Sequence, residues 1–232
     1  MDYDLHCHSN ASDGALSPTD LVARAAHKGV KFLALTDHDT MGGIAEAKAA
    51  AEQHDLEIVH GVEISTQWRD YNMHIVGLNV DLDCEILNTG LAKQQDARTE
   101  RIKKTLKAFA EDGIHDNENQ IQTFAGDNVP GRPHIAKFLV ENEHCDSYTE
   151  AYEWLSRGGK YFMNPGWEYL SYVVNWIKKA GGVAVLAHPD KYGLGKPGLK
   201  AFLRDFKTAG GEGIEVCYAA GAKAATSKAA HL

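Results

Sequence analysis

Strand-like apolar runs alternate with segments of helical periodicity at the start of the chain and again near its end. The first helix is predicted from Ser17 to Gly29, because Ser17 suits an N-cap, Pro18 suits the first turn and Gly29 suits a C-terminal stop. Repeated strand and helix order is typical of a mainly parallel sheet, either closed as a barrel or open. In such folds the functional side chains gather at the carboxyl ends of the strands.

The alternation is interrupted in the middle of the chain, where helices follow one another without a strand. We predict one long helix over residues 85–111, a loop through "GDNVPGRPH" and two shorter helices in "IAKFLVENE" and "YTEAYEWLSRG". The sequence therefore predicts an α/β fold with a helical insertion. The α/β barrel would comprise residues 1–84 and 165–232, and the inserted helical subdomain would comprise residues 85–164.

Bulk composition limits the class of protein. A formal net charge of −8 disfavours a broad nucleic-acid surface, since nonspecific binding rests on neutralising many phosphates, but it allows a small phosphorylated ligand held by local cations. The four cysteines lie far apart without a Cys-x-x-Cys pair, which argues against a disulfide framework and a thiolate zinc site. No run approaches the roughly 20 apolar residues of a membrane span and no signal sequence opens the chain, so we expect a cytoplasmic protein without membrane association.

Histidine and carboxylate side chains stand at the boundaries of five predicted strands. His6 and His8 are alternate residues of the first strand, so both point to the same side of it, and Asp13 follows in the next loop. Each such residue alone has an ordinary explanation, as a hydrogen-bonded histidine, a turn aspartate or a solvated glutamate. Their joint placement instead predicts a metal site. The candidate ligands are His6, His8, Asp13, His38, Glu63, His74 and His188.

The number and type of these ligands indicate more than one metal ion. A single zinc ion takes about four ligands, whereas a larger set of imidazoles and carboxylates without thiolates suits a cluster of Zn, Mn or Fe ions. A carboxylate such as Glu63 can bridge two of them. Closely spaced ions favour displacement at phosphorus, because they hold the attacking and leaving oxygens and lower the pKa of bound water. We therefore expect a metal-dependent phosphoesterase.

Cationic residues of the insertion are candidates for holding a substrate phosphate. Arg98 and Arg101 are three residues apart on the long helix and therefore share a face. Arginine is suited to bidentate phosphate contact, although a solvated helix face or a helix terminus would also explain such cations. The candidate substrate-binding residues are Arg98, Arg101, Arg132, His134, Arg157 and Lys160. The candidate catalytic residues are Asp13, His38 and His134, the last as a proton donor to the leaving oxygen.

Five motifs of the chain resemble those of the polymerase and histidinol phosphatase (PHP) superfamily, namely "DLHCHSNASDG", "LALTDHDT", "GVEIS", "MHIVGLNVD" and "VLAHP". The segments "GRPHIAKFLV" and "SRGGKYFMNP" resemble its branch of 3′,5′-nucleoside bisphosphate phosphatases and a 5′-to-3′ exoribonuclease, ribonuclease AM. The resemblance implies a distorted seven-stranded (β/α) barrel that holds two or three divalent ions, with Mn as the first choice and Zn or Fe as alternatives. It implies that the candidate ligands named above bind these ions and that arginines of the insertion lie near the nucleotide.

One part of the family pattern is absent near the end of the chain. The resemblance implies a further strand that ends in a Gly-Ser-Asp-x-His type motif, and no such motif follows "GIEVCY". His231 lacks the preceding Gly-Ser-Asp, so we do not count it as a ligand. We expect a barrel without its last strand or strands, explained either by a truncated chain or by an incomplete metal cluster.

The leading hypothesis is a hydrolase that converts a 3′,5′-nucleoside bisphosphate such as pAp to AMP and phosphate, or that removes nucleotides from the 5′ end of short RNA. One alternative is a small-molecule phosphatase of the histidinol phosphate kind. Another alternative is a noncatalytic metal- or nucleotide-binding protein, which the absent last motif favours. The expected partner is a nucleotide or a short single-stranded RNA, and no protein partner is predicted.

Overall fold

The computed structural model of the protein describes residues 2–115 and 118–216. Its strands are β1 (Tyr3–Cys7), β2 (Phe32–Leu35), β3 (Glu57–Trp68), β4 (Tyr71–Leu78), β5 (Val183–Leu186) and β6 (Gly213–Ile214). Its helices are α1 (Pro18–His27), α2 (Ile44–Ala51), α3 (Glu85–Glu111), α4 (Glu118–Ala125), α5 (Arg132–Glu141), α6 (Tyr148–Leu155), α7 (Leu170–Lys179) and α8 (Lys196–Ala209). Four consecutive helices, α3 to α6, therefore separate the two α/β parts of the described chain.

The strands form one sheet in the order β1 to β6. The pairs β1–β2, β2–β3 and β5–β6 are parallel, whereas β3–β4 and β4–β5 are antiparallel. The expectation of a mainly parallel sheet is thus wrong for the middle strands. Only Arg69 and Asp70 separate β3 from β4, and a parallel connection would need a crossover of about a dozen residues or more.

Local signals set most helix boundaries. The Ser17 hydroxyl accepts a hydrogen bond from the Asp20 N–H at the start of α1, and Gly29 just beyond that helix has a φ of +79°. The helix predicted over residues 85–111 is confirmed as α3. The loop prediction for "GRPH" is wrong, because α5 begins at Arg132. Pro133 is well suited to that first turn, where its missing N–H costs nothing.

The long helix α3 joins two separate hydrophobic cores. Its first half contributes Leu87 and Leu91 to a core formed with β3, β4, α7 and α8. Its second half contributes Ile102 and Phe109 to a core of the inserted helices. Gly90 allows the close approach to α7, since a Cβ there would lie 2.4 Å from a Trp176 ring carbon. One continuous helix therefore presents its middle turns at the junction of the two cores.

Two further expectations concern the ends of the fold. Among the residues that the structure describes, no helix has the length and apolar character needed to cross a bilayer. The expectation of a missing last strand, and the question of His231, fall on residues 217–232, which lie outside the described ranges. The sheet of the described part has six strands and is curled rather than flat.

Candidate metal centre

The fold brings the predicted metal ligands together from five strands of the sheet. One ligand atom per residue lies within 4.8 Å of the others in three overlapping groups, which are His6–His8–Glu63, His8–Asp13–His38 and His38–Glu63–His74. The remaining ligand, His188, follows β5 and contacts Glu63 as well, with 2.8 Å between His188 Nε2 and Glu63 Oε1. All seven predicted ligands therefore belong to one cluster.

The centre of this cluster is the carboxylate of Glu63, which is 1% exposed. Its Oε1 lies 3.0 Å from His74 Nδ1. Its Oε2 lies within 3.3 Å of a ring nitrogen from each of three more histidines, namely His6, His8 and His38. Each carboxylate oxygen thus faces imidazole nitrogens, which is the arrangement of a carboxylate that bridges two ions.

The antiparallel hairpin explains why His74 reaches this cluster. In the ladder between β3 and β4, His74 lies opposite Ser65. Glu63 precedes Ser65 by two positions, so Glu63 and His74 project from the same face of the hairpin. The hairpin therefore delivers two ligands where a parallel strand pair with a crossover would separate them.

The buried surroundings change the charge states of these groups. Burial acts to raise the pKa of Glu63, but the neighbouring histidines outweigh it and hold that pKa well below its ordinary value. Burial lowers the pKa of His38 well below its ordinary value, and the nearby His74 and His8 act in the same direction. An ionised carboxylate and a neutral imidazole are the forms that bind metal ions.

The geometry fits a metal cluster better than a hydrogen-bonded network. His38 Nδ1 is buried and has no hydrogen-bond partner within the described residues, although it lies 3.0 Å from Glu63 Oε2. His6 Nε2 and His8 Nε2 face each other at 3.2 Å. Ring nitrogens and carboxylate oxygens that converge in this way form a set suited to metal ions, and imidazoles with carboxylates suit Zn, Mn or Fe.

Two buried aspartates beside His38 hold the loops that carry the ligands. Asp37 accepts hydrogen bonds from the Ser9 N–H at 2.8 Å and from the Ser9 and Ser12 hydroxyls at 2.6 Å, which fixes the loop between His8 and Asp13. The sequence interpretation treated "TDHD" only as an acidic loop. The alternation of acid, histidine and acid was the available signal for these supporting residues.

The second aspartate, Asp39, ties the barrel to helix α3. It accepts hydrogen bonds from the Ser65 N–H at 2.7 Å and from Arg98 Nε at 2.7 Å, and Arg98 Nη2 lies 2.5 Å from the same carboxylate. Asp39 is fully buried, and Arg98 is 8% exposed. Arg98, a predicted substrate ligand, therefore has a buried protein counterion.

A further carboxylate, which the sequence interpretation missed, contacts the cluster from the other edge of the sheet. Glu215 follows β6, and its Oε1 lies 2.5 Å from His6 Nδ1. The charged residue in the apolar context "GIEV" was the only local signal for it. Burial acts to lower the pKa of His6, but Glu215 and Glu63 outweigh it and raise that pKa to about 10.

A cleft of about 740 Å³ opens beside the ligands, and its other wall is formed by the insertion. Arg101 and Arg132 line this wall. Burial lowers the pKa of Arg101 to about 9, and neighbouring arginines act in the same direction. Within residues 2–115 and 118–216, no carboxylate lies at ion-pair distance from either side chain. The Arg101 guanidinium stacks at 5.3 Å over the ring of Trp167.

The other three predicted substrate residues have protein partners. His134 Nδ1 accepts a hydrogen bond from the Gly131 N–H at 2.9 Å, so this histidine caps α5. Arg157 lines the cleft and donates to the Asp70 carbonyl, which joins α6 and its following turn to the β3–β4 hairpin. Lys160 Nζ instead pairs with Asp112 at 2.8 Å.

Comparison with known proteins agrees with these motifs. The family model of the PHP domain matches residues 4–205. The chain is 39% identical to a 5′-3′ exoribonuclease of Haemophilus influenzae over 92% of this chain and 78% of that protein. It is also 39% identical to a 3′,5′-nucleoside bisphosphate phosphatase of Chromobacterium violaceum, over 92% of this chain and 75% of that protein. The 5′-3′ exoribonuclease Rnm of Escherichia coli is 36% identical over 92% of this chain and 74% of that protein.

Solved structures show the same fold. An amidohydrolase from Chromobacterium violaceum, with bound sulfate and no metal, has a TM-score of 0.94 and 36% identity over 100% of this chain and 82% of that one. A protein from Bifidobacterium adolescentis, assigned as a metal-dependent phosphoesterase, has a TM-score of 0.85 and 28% identity over 97% of this chain and 80% of that one. By its motifs, its fold and its matched residues, this chain belongs to the PHP family.

Proposed function

We propose that the protein is a metal-dependent phosphoesterase that hydrolyses 3′,5′-nucleoside bisphosphates such as pAp to AMP and phosphate, and that also removes nucleotides from the 5′ end of short RNA. The names of its relatives, a bisphosphate phosphatase and 5′-3′ exoribonucleases, support this substrate class. The metal-ligand cluster supports hydrolysis at phosphorus. The proposed cofactor is a set of two or three divalent ions bound by the candidate ligands, with Mn as the first choice, as the resemblance to the PHP family implies, and Zn or Fe as alternatives.

One observation carries the proposal: the predicted metal ligands line the same cleft as Arg101 and Arg132, two half-buried arginines that have no carboxylate at ion-pair distance among the described residues. Arg101 Nε is buried and has no hydrogen-bond partner in the described chain, so this pair is suited to an anionic ligand. A substrate with two phosphates, or an RNA end with successive phosphates, offers one phosphate to the metal ligands and another to the arginines. A small phosphomonoester of the histidinol phosphate kind leaves the arginines unmatched.

The proposed metal site consists of the seven predicted ligands, His6, His8, Asp13, His38, Glu63, His74 and His188. Ions bound there would polarise the phosphate oxygens and lower the pKa of bound water. Glu63 would hold the ions close together through its two oxygens. Asp13, which is partly exposed and lines the cleft between His8 and His38, would also accept the proton of the attacking water.

The proposed substrate site lies in the inserted subdomain over residues 85–164, beside the barrel formed by residues 1–84 and 165–232. Arg101 and Arg132 would bind the phosphate that is not cleaved, and Arg157 at the edge of the cleft would contact the far end of the substrate. Arg98 would hold the shape of the site through Asp39. We leave His134 and Lys160 out of the proposed site, because neither lines the cleft and their side chains contact the Gly131 N–H and Asp112 instead.

The experiment is a hydrolysis assay on metal-loaded protein with added Mn²⁺, Zn²⁺ or Fe²⁺. The substrates are pAp, a 5′-phosphorylated oligoribonucleotide, the same oligonucleotide without the 5′-phosphate, and histidinol phosphate. We expect phosphate from pAp and stepwise release of mononucleotides from the phosphorylated RNA. Metal content is measured in parallel by elemental analysis.

Two outcomes would overturn the proposal. Phosphate release from histidinol phosphate with none from pAp would identify a small-molecule phosphatase. Less than one metal ion per chain, with no hydrolysis of any substrate, would identify a noncatalytic binding protein. The Glu63→Gln variant is the control that excludes a contaminating phosphatase, since it removes the centre of the proposed metal site.

A further inference from the structure

Glu215 contacts two predicted metal ligands at once, although it is distant from both in sequence. Its Oε1 lies 2.5 Å from His6 Nδ1, and its Oε2 accepts a hydrogen bond from the His188 N–H at 2.7 Å. The Glu215 side chain is 12% exposed, so these contacts are shielded from water. One carboxylate therefore joins a ligand of β1, at one edge of the sheet, to a ligand that follows β5.

The contact with His6 determines which ring nitrogen is left for a metal ion. An ionised carboxylate only accepts hydrogen bonds, so His6 Nδ1 carries the hydrogen that faces Glu215. The other nitrogen, Nε2, lies 3.2 Å from His8 Nε2 and 3.3 Å from Glu63 Oε2, inside the ligand cluster. Glu215 would thus keep the hydrogen on Nδ1, so that Nε2 is the nitrogen that gives up its proton and binds the proposed ions.

The contact with His188 acts on the backbone. His188 has a φ of +28° and a ψ of 64°, a conformation that is costly for a residue with a side chain. The Glu215 carboxylate binds the N–H of this strained residue, whose Nε2 lies 2.8 Å from Glu63 Oε1. The hydrogen bond therefore helps to hold a second ligand in its position.

We propose that Glu215 is a positioning residue of the metal centre, which orients His6 and His188 through its two carboxylate oxygens. The inference rests on the proposed metal-dependent function. A glutamine at this position cannot replace it, because an amide offers one acceptor oxygen while both partners are donors. If the amide oxygen accepted from the His188 N–H, the amide N–H would face His6 Nδ1, and His6 would have to move its hydrogen to Nε2. If the amide oxygen accepted from His6 Nδ1, the amide N–H would face the His188 N–H and that hydrogen bond would be lost.

The first test is the Glu215→Gln variant, compared with Glu212→Gln as a matched control. Glu212 lies in the same terminal segment, but its exposed side chain pairs with Lys178. Zn²⁺ and Mn²⁺ affinities are measured by competition with a fluorescent chelator, and metal content is measured by elemental analysis. We expect affinity to fall by about 10- to 100-fold in Glu215→Gln, the usual effect of losing a carboxylate that orients a histidine ligand, and to stay unchanged in Glu212→Gln.

The second test needs no variant and therefore does not depend on correct folding of Glu215→Gln. Nitrogen-15 NMR of the Zn²⁺-loaded wild-type protein shows which ring nitrogen of His6 binds zinc. We expect zinc at Nε2 and a hydrogen on Nδ1. Zinc at Nδ1, or unchanged metal affinity in Glu215→Gln, would overturn the inference. If both expectations hold but pAp is not hydrolysed, the proposed substrate is wrong and the role of Glu215 stands.

Discussion

The barrel and the inserted helices contribute opposite kinds of unmatched polar groups to the cleft between them. On the barrel side, imidazole nitrogens and carboxylate oxygens such as those of Glu63 converge within hydrogen-bond distance of one another. On the insertion side, Arg101 and Arg132 present guanidinium groups without a carboxylate at ion-pair distance in the described chain. The first set suits cations and the second suits an anion, so a phosphate held by metal ions on the barrel wall would also match the arginines of the insertion.

The two walls also differ in how their side chains are held. The barrel ligands come from several strands, and buried carboxylates, Asp37 and Glu215, hold their loops and rings. The arginines depend on one long helix, α3, which is anchored to the barrel by the buried Asp39–Arg98 pair. The proposed metal site should therefore tolerate changes in the insertion better than the proposed substrate site tolerates changes in the barrel. The expectations below test this asymmetry.

The largest effect is expected from Glu63→Gln, which removes the charge at the centre of the cluster. Phosphate release from pAp should fall by roughly 10³-fold or more, because a neutral amide neither bridges two cations nor stabilises them. Metal content by elemental analysis should fall with it. Glu57→Gln, an exposed position of the same strand, is the control and should match the wild type. Full metal content and full activity in Glu63→Gln would contradict the cluster.

The anchor between the two walls is tested by Asp39→Asn. The change leaves the Arg98 guanidinium buried beside a neutral amide, and loss of one partner of a buried pair costs about 3–5 kcal/mol of unfolding free energy. Urea unfolding of Asp39→Asn and of the wild type measures this loss of unfolding free energy. Glu100→Gln is the control, because its pair with Lys103 is exposed to solvent and should contribute little to the free energy of unfolding. Equal stability of the two variants would show that this anchor is not needed.

The insertion wall is tested by Arg101→Gln. Loss of one charge-assisted contact should raise the KM for pAp by about 10- to 100-fold, with a smaller change in kcat, because the role proposed for this arginine is to bind the phosphate that is not cleaved. Lys103→Gln on the same helix removes an exposed cation that pairs with Glu100 and should leave KM unchanged. A loss confined to kcat, or reduced metal content in Arg101→Gln, would contradict the division of roles between the walls.

The smallest effect is expected from His134→Gln, which separates a capping role from a catalytic one. Burial lowers the pKa of His134 below its ordinary value, so the unfolded chain takes up a proton more readily and stability contributed by this residue is lost as pH falls below about 6.5. Glutamine can still accept from the Gly131 N–H at this position of a capping box, and it does not titrate.

We therefore expect His134→Gln to hydrolyse pAp at the wild-type rate. Between pH 8 and pH 5.5, its free energy of unfolding should fall less than that of the wild type, as measured by urea unfolding of the metal-free protein. His134→Ala is the control for the cap and should be about 1 kcal/mol less stable than His134→Gln at both pH values, because neither residue titrates and only glutamine can cap. A strong fall in the rate of pAp hydrolysis in His134→Gln would show that this histidine has a catalytic role as well as a capping role.

Much of the site could be predicted from the sequence because its signals are local. The His6 and His8 pair follows from the two-residue period of a strand, and the boundaries of α1 and α3 follow from caps and helical periodicity. Supporting residues could not be predicted in the same way. Asp39 and Arg98 are charged, and a charged residue is expected at the surface when only the sequence is known. Only their contact with each other explains why both are buried.

The sequence by itself determined the candidate metal ligands, the course of the long helix α3 and the membership of the PHP family, because side-chain chemistry, periodicity and motifs are properties of short segments. The tertiary structure decided the antiparallel course of β4, the withdrawal of Arg98 and Lys160 into ion pairs, and the contact of Glu215 with His6. Each of these depends on residues that are distant along the chain and become neighbours only when the sheet curls and the helices pack. A local pattern carries no information about such neighbours, which is why the unpaired arginines could be distinguished from the paired ones only in the folded protein.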